Sequence, residues 1–350
     1  MSREELESIA FNETFHRIRR DLIASERNEE VVEALKWFDK VIMYNVPNGK
    51  KNRGMAVVMS YRRLGTPSDL VNPDNLEAAR IIGWCVELLQ TYYLIVDDIM
   101  DGSVMRRDQL CWYRNEGVGL MAINDALCIE AGLYQLLKIH FQHEPFYSKM
   151  VDIFLTTSRQ TIYGQTLDLL ATPPGRRLDL NRFTMDRYFN IVKYKTAFYS
   201  FSLPVRAAMF LAGISDDKRH REAETLLLKM GRFFQVQDDY LDCYGDPKVT
   251  GKIGTDIQDG KCCWPIVTAL TICNKEQLEI LQNNYARNDP VCVEEVKSVY
   301  RDLDIESKYQ EFEETQYQEL CKDINDLNQR TELPGSIFHN FLAKIYRRNK

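Results

Sequence analysis

The chain has 350 residues, 45% of them hydrophobic, and a formal net charge of −6. That length fits two average domains or one large domain with an ample core. The acid excess excludes a nucleic-acid binder that works through overall charge, so any anion site has to be a local cluster of Lys and Arg.

The first stretch, MSREELESIAFNETFHRIRRDL, mixes acids with bases and lacks an apolar signal core. It is also too acidic for a typical transit peptide. No apolar run approaches the length of about 18 residues that would suggest a membrane span; Ala207–Ile214 is far shorter. The nine cysteines are scattered without a CxxC pair, and Cys262 and Cys263 are adjacent. Such a set reads as reduced thiols, so a cytoplasmic location is expected.

Apolar residues recur at three- and four-residue steps over 79–101, 124–141, 149–170, 185–214 and 221–244, which predicts long helices. Turn-forming residues fall beside these segments, at 47–54, 65–74, 172–177, 245–254 and 333–336. Strand-like alternation is nearly missing. The pattern predicts an all-α helical bundle. No Ser/Gly-rich linker interrupts it, so a single domain over 1–350 is expected.

Two acidic clusters raise the functional question. Asp97, Asp98 and Asp101 follow the apolar run Tyr92–Val96, and Asp238, Asp239 and Asp242 repeat the spacing within FFQVQDDYLD. On a helix, residues four apart share a face, and the intervening neighbour is turned by about 100°. If the two helices face one another, six carboxylates converge, and they repel unless cations lie between them. An all-oxygen donor set suits Mg²⁺, which keeps waters and bridges carboxylates to substrate phosphates. A solvated acidic stripe accounts for one cluster more easily than for two of equal spacing.

The basic residues point to the same ligand charge. Arg106 and Arg107 follow the first cluster. Lys252 and Lys261 flank GDPKVTGKIGTD after the second. Lys50 and Arg53 lie in the loop NGKKNRG, and Lys195 in VKYKTAFYSF. Arg forks suit phosphate oxygens, and Lys acts as a point charge. Taken singly, each is an ordinary surface residue; beside two metal-site candidates they read as a diphosphate clamp. His140 and His143 are three apart with no third ligand placed by spacing, and no P-loop, nucleophile elbow or Cys–His nucleophile is present.

From about Phe15 to the terminal KIYRRNK the sequence resembles the farnesyl diphosphate synthases of the trans-isoprenyl diphosphate synthase family. NGKKNRG, LLQ, DDIMD with RR after it, GQTLDLL, VKYKTAFYSF, FFQVQDDYLD and TGKIGTDIQDGKC carry the resemblance. It implies an orthogonal helical bundle around a central cavity, a homodimer, and three Mg²⁺ ions held around an allylic diphosphate. By motif, Asp97, Asp98, Asp101 and Asp238 look like the main metal ligands, with Asp239 and Asp242 as water-mediated partners. Arg106, Lys195 and Lys252 look like allylic diphosphate contacts, with Thr196 and Gln235 near the reacting carbons. Gly49, Lys50, Arg53, Gln90, Arg107 and Arg348 look like the isopentenyl diphosphate site. Gln165, Asp168 and Lys261 look like further cavity residues. The substrates implied are isopentenyl, dimethylallyl and geranyl diphosphates, and the chemistry needs no protein nucleophile.

Residues one helical turn before Asp97 lie about 5.4 Å deeper. Here they are Tyr92 and Tyr93. Tyr93 is nearly in phase with Asp97; Tyr92 is rotated away, and the resemblance alone puts it at the pocket floor. Two bulky rings predict a product no longer than C15, with two core tyrosines of no control role as the alternative. Asp108 stands where the family usually has Gly; its carboxylate either pairs with Arg106 and Arg107 and weakens diphosphate binding, or points to solvent. Asn349 thins the C-terminal charge. A relative that stops at C10 and a terpene synthase are the competing enzyme readings; retained Lys50, Arg53, Gln90 and Arg107 argue against the latter. A non-catalytic helical protein would not need both complete Asp clusters.

Overall fold

The computed structural model describes residues 2–25, 29–173, 178–246, 249 and 254–347. In chain order its helices are α1 (Arg3–Ala24), α2 (Val32–Asn45), α3 (Asn52–Leu64), α4 (Pro67–Val71), α5 (Pro73–Met100), α6 (Met121–Phe141) and α7 (Tyr147–Ala171). They continue as α8 (Met185–Val192), α9 (Leu203–Leu211), α10 (Asp217–Tyr244), α11 (Trp264–Ile272), α12 (Lys275–Asn284), α13 (Pro290–Asp302), α14 (Ile305–Thr331) and α15 (Gly335–Ile345). The expected all-α class is what the chain adopts.

Local sequence starts these helices. Ser2 caps α1 and pairs with Glu5 in a capping box; Asn274 and Gln277 do the same for α12. Asn72 caps α5 and Asp289 caps α13, each followed by a proline at the first helical position.

The chain divides into two compact units, Met1–Thr156 with Leu203–Asp216, and Thr157–Ser202 with Asp217–Lys350. In the first, α5 runs through the core, packed by α3 and α6. Trp84 of α5 is fully buried, stacks on Phe11 at 4.6 Å and donates its indole N–H to the Phe11 carbonyl at 2.7 Å. Buried charge is compensated. Glu7 is held by Arg62 and by Arg80, the latter at 2.6 Å. Asp125 accepts the indole N–H groups of Trp37 and Trp112 at 2.9 and 2.8 Å. In the second unit, α10 packs against α14, with Tyr188, Trp264, Val267 and Tyr300 among the buried side chains.

Two local features differ from the expectation. The continuous helix expected over 185–214 is interrupted, because Lys193–Ser202 winds as a π-helix between α8 and α9. Pro204 contributes to this: it has no N–H to donate, and its ring crowds the carbonyl four residues back, at Ser200 inside the widened stretch. A small hairpin also forms, pairing Met105 with Leu110 and Arg106 with Gln109. Its two-residue turn has φ of 53° at Arg107 and 63° at Asp108, the left-handed pair of a type I′ turn, where Gly, Asn and Asp are favoured.

No described helix is long and apolar enough to cross a membrane.

Candidate active site

The first acidic cluster forms the last turn of α5. Asp97 and Asp101 are a turn apart, and the Asp101 N–H closes on the Asp97 carbonyl at 2.8 Å. Asp98 is rotated inward and buried. The Arg106 guanidinium grips its Oδ1 through Nη2 at 2.6 Å and Nε at 3.0 Å, and Nη2 lies 3.8 Å from Asp97. The hairpin therefore folds its first arginine back over the helix end. Burial opposes the Arg106 charge, but Asp98 and then Asp97 hold its pKa above the ordinary value. Asp108 is exposed, and among the described residues no ion pair joins it to either arginine. The turn that Asp108 serves points it outward.

Beside this, Arg107 turns toward the 45–54 loop. Its Nη1 donates to the Asn45 carbonyl at 3.0 Å. Gly49 lies directly against it: a Cβ there would stand 2.6 Å from Arg107 Nη2. Gln90 and Arg53 meet at 3.0 Å; with the Gln90 amide turned so that both of its ends are satisfied, its oxygen accepts from Arg53 Nη1. Lys50 is exposed, and Lys51 adopts φ 57° at the start of α3. Gly49, Arg53, Gln90 and Arg107, scattered in sequence, thus share one region of the first unit.

In the second unit the second cluster lies near the end of α10. Asp239 repeats the Asp98 pattern: it is buried and accepts from Gln235 Nε2 and from the Trp264 N–H, both at 2.9 Å. Burial pushes its carboxyl up to about 7 against those donors, and the Asp238 charge adds to the rise. Asp242 Oδ2 accepts the Asp256 N–H at 3.0 Å. Asp238 is only half-buried.

The π-helix supplies the cationic side. Lys195 Nζ lies 2.6 Å from Asp168 Oδ2 on α7, and Lys261 Nζ lies 3.6 Å from the same oxygen. Burial alone would raise the Asp168 carboxyl; Lys195 and then Lys261 outweigh it and hold it below the ordinary value. The Thr196 hydroxyl donates to Gln235 Oε1 at 3.1 Å. Gln235 therefore links Thr196 to Asp239. Two glycines permit this: Gly164 faces the Lys195 backbone and Gly231 faces Ala197, each with no room for a Cβ. Gln165 is next to the first of these contacts on α7.

The polyprenyl synthetase family model matches residues 35–303, and vertebrate relatives align at nearly half of all positions. The chain belongs to the polyprenyl synthetase family. It is 48% identical to the farnesyl pyrophosphate synthase of Bos taurus, over 92% of this chain and 90% of that one. It is 45% identical to that of Gallus gallus, over 100% and 94% of the two chains. The T. brucei farnesyl diphosphate synthase complexed with risedronate superposes with a TM-score of 0.88 at 29% identity, covering 98% of this chain and 100% of that one. The resemblance first carried by short motifs thus extends to the whole chain and to its fold.

Of the residues expected to form the site of this polyprenyl synthetase, Lys252 and Arg348 lie outside the described residues. Tyr92 is buried and Tyr93 half-buried, with ring centroids 5.1 Å apart. Burial, and then the Glu130 charge, raise the Tyr92 phenol. Among the described residues, no three His, Cys, Asp or Glu are spaced to hold a metal by themselves. Sequence reading missed Glu87, which sits beneath Gln90 and Arg53. The signal for it was a lone carboxylate in the apolar run 81–95, one turn before Gln90.

Proposed function

We propose that this chain is a trans-prenyltransferase that condenses isopentenyl diphosphate with dimethylallyl and then geranyl diphosphate to give farnesyl diphosphate. The observation that carries this is the joint retention of two different diphosphate grips. One is Gly49, Arg53, Gln90 and Arg107; the other is Lys195 with Thr196 and Gln235. An enzyme that only ionises an allylic diphosphate needs one. The 45–48% identity to farnesyl pyrophosphate synthases over nearly the whole chain supports the same reading.

Asp97, Asp98, Asp101 and Asp238 are read as the Mg²⁺ carboxylates, with Asp239 and Asp242 as supports, and three ions are expected. When bound, Mg²⁺ neutralises charge that grows on the departing diphosphate. Arg106 and Lys195, with Lys252, take diphosphate oxygens and share that neutralisation. Asp168 holds the Lys195 ammonium at 2.6 Å until those oxygens arrive. Lys50, Arg53, Gln90, Arg107 and Arg348 hold isopentenyl diphosphate by its own phosphates, leaving its double bond free. The allylic C–O bond breaks, the double bond attacks the allylic carbon, and a proton leaves the new cation for the released diphosphate. Thr196 and Gln235 fix polar atoms beside the reacting carbons. The walls must exclude water, because water would trap the cation.

The chain is further read as a homodimer working as one domain in the cytoplasm. Helix α6 exposes Met121, Ile123 and Leu127, an apolar stretch a second copy could cover. All nine thiols are unbridged.

Stoichiometry tests the reaction. With geranyl diphosphate, isopentenyl diphosphate and Mg²⁺, pyrophosphate release should match isopentenyl diphosphate consumption. Release from geranyl diphosphate with no isopentenyl consumption would replace this reading with the cyclising one.

A further inference from the structure

Glu87 is a carboxylate in the core stretch of α5, only 2% exposed. Such a group persists where partners compensate its desolvation. Its partners here are site residues. Oε1 accepts the Gly54 N–H at 2.8 Å. With the Gln90 amide turned so that both of its ends are satisfied, Oε2 accepts from its nitrogen at 3.2 Å. The opposite end of that amide accepts from Arg53 Nη1 at 3.0 Å. Burial raises the Glu87 carboxyl above its ordinary value, and the Gly54 N–H with the charges of Arg53 and Arg107 opposes that rise; Glu87 in turn acts on Lys51.

The backbone explains why a distant side chain takes this place. Helix α3 begins at Lys51 in the left-handed region, and no side chain of its own caps it. Its first N–H groups need an acceptor from elsewhere. Gly83 and Gly54 let α5 and α3 touch: a Cβ on Gly83 would stand 2.6 Å from the Gly54 carbonyl oxygen. Glu87, one turn after Gly83, then reaches the start of α3. Its carboxyl group lies at the positive end of the helix dipole, a position that a phosphate would otherwise favour.

We propose that Glu87 is the positioning residue of the isopentenyl diphosphate grip: it caps α3 from α5 and fixes the orientation of Gln90 and Arg53. Its carboxylate fixes which end of the Gln90 amide faces Arg53. It also fills the helix end, so the incoming diphosphate is directed to the guanidinium groups instead. This inference rests on the prenyltransferase reading of the site.

The test compares Glu87→Gln, Glu87→Ala and Arg53→Lys with the wild type by steady-state kinetics in both substrates. Isothermal titration with isopentenyl diphosphate and a circular dichroism melt accompany it. Glu87→Gln keeps an acceptor for Gly54 but presents an NH₂ group toward Gln90. It should raise KM for isopentenyl diphosphate about tenfold, while KM for geranyl diphosphate moves by less than about twofold. Glu87→Gln combined with Arg53→Lys should cost less than the two changes added, because both act through Arg53. Parallel rises in both KM values, or strict additivity, would overturn the proposal by leaving a merely structural role. Where Glu87→Ala fails to fold, Glu87→Gln decides. A wild type without condensation activity would refute the prenyltransferase reading instead; weakened titration binding in Glu87→Gln would still report the positioning role, and unchanged binding would refute it.

Discussion

Lys195 Nζ stands 2.6 Å from Asp168 Oδ2, and Gly164, one turn before Asp168, lies against the Lys195 backbone. The same pattern recurs twice. Gly231 lies against Ala197, and Gln235, one turn on, receives the Thr196 hydroxyl. Gly83 lies against Gly54, and Glu87, one turn on, receives the Gly54 N–H. In each pair a missing Cβ brings two backbones together, and the side chain four residues later makes the polar contact.

Gly164→Ala should therefore damage catalysis through geometry. The methyl group has no space, so the Lys193–Ser202 stretch must shift. We expect a loss of about 1–3 kcal/mol in stability and a raised KM for the allylic substrate, checked by thermal melts and kinetics. An unchanged allylic KM would show that the close approach does not set Lys195.

Asp168 predicts a pH signature. Its folded pKa lies below the ordinary value because Lys195 and Lys261 outweigh the effect of burial. A carboxylate depressed in this way contributes stability above its unfolded pKa and loses that contribution as pH falls through the folded value. Asp168→Asn should be less stable than wild type at neutral pH by about 1–3 kcal/mol. The gap should close below the ordinary aspartate pKa of about 3.9. Melts across pH check this; a gap independent of pH would contradict the ion-pair account.

Asp98→Ala and Asp238→Ala should each lower turnover by more than about 10²-fold and leave the helical circular dichroism signal intact. Asp98→Ala also releases Arg106, which Asp98 now holds. It should therefore weaken allylic diphosphate binding more than Asp238→Ala does. Full activity in either variant would remove the metal-clamp argument.

Asp108→Gly tests a departure that the structure reads as backbone chemistry. With φ of 63° at that position, glycine should stabilise the hairpin by about 0.5–1 kcal/mol. Diphosphate KM values should stay unchanged, since the exposed Asp108 carboxylate makes no ion pair with the arginines among the described residues. A tighter KM would show that Asp108 does compete for Arg106 or Arg107.

The helical class and the acidic clusters were legible because they rest on local periodicity. Four-residue spacing placed Asp97 with Asp101 and Asp238 with Asp242. The rotation of about 100° between neighbours turns Asp98 and Asp239 off that shared face. What spacing could not show is that both are buried and tied, one to Arg106 and the other to Gln235 and the Trp264 amide. The π-helix was hidden because its apolar pattern resembles an ordinary helix, and its cause includes contacts at Gly164 and Gly231 that are distant in sequence. Glu87 was hidden for a similar reason: its significance arises only when α3 meets α5. The Arg107–Asp108 turn was missed because its strands are two residues long.

The most direct measurement is the chain length of the product. Purified protein, isopentenyl diphosphate and Mg²⁺ would be incubated with dimethylallyl or geranyl diphosphate, and the dephosphorylated products separated by gas chromatography. The account predicts farnesol from both starters and no longer alcohol, with Tyr92 and Tyr93 closing the pocket at C15. Geraniol alone, or cyclic hydrocarbons formed without isopentenyl diphosphate, would contradict it.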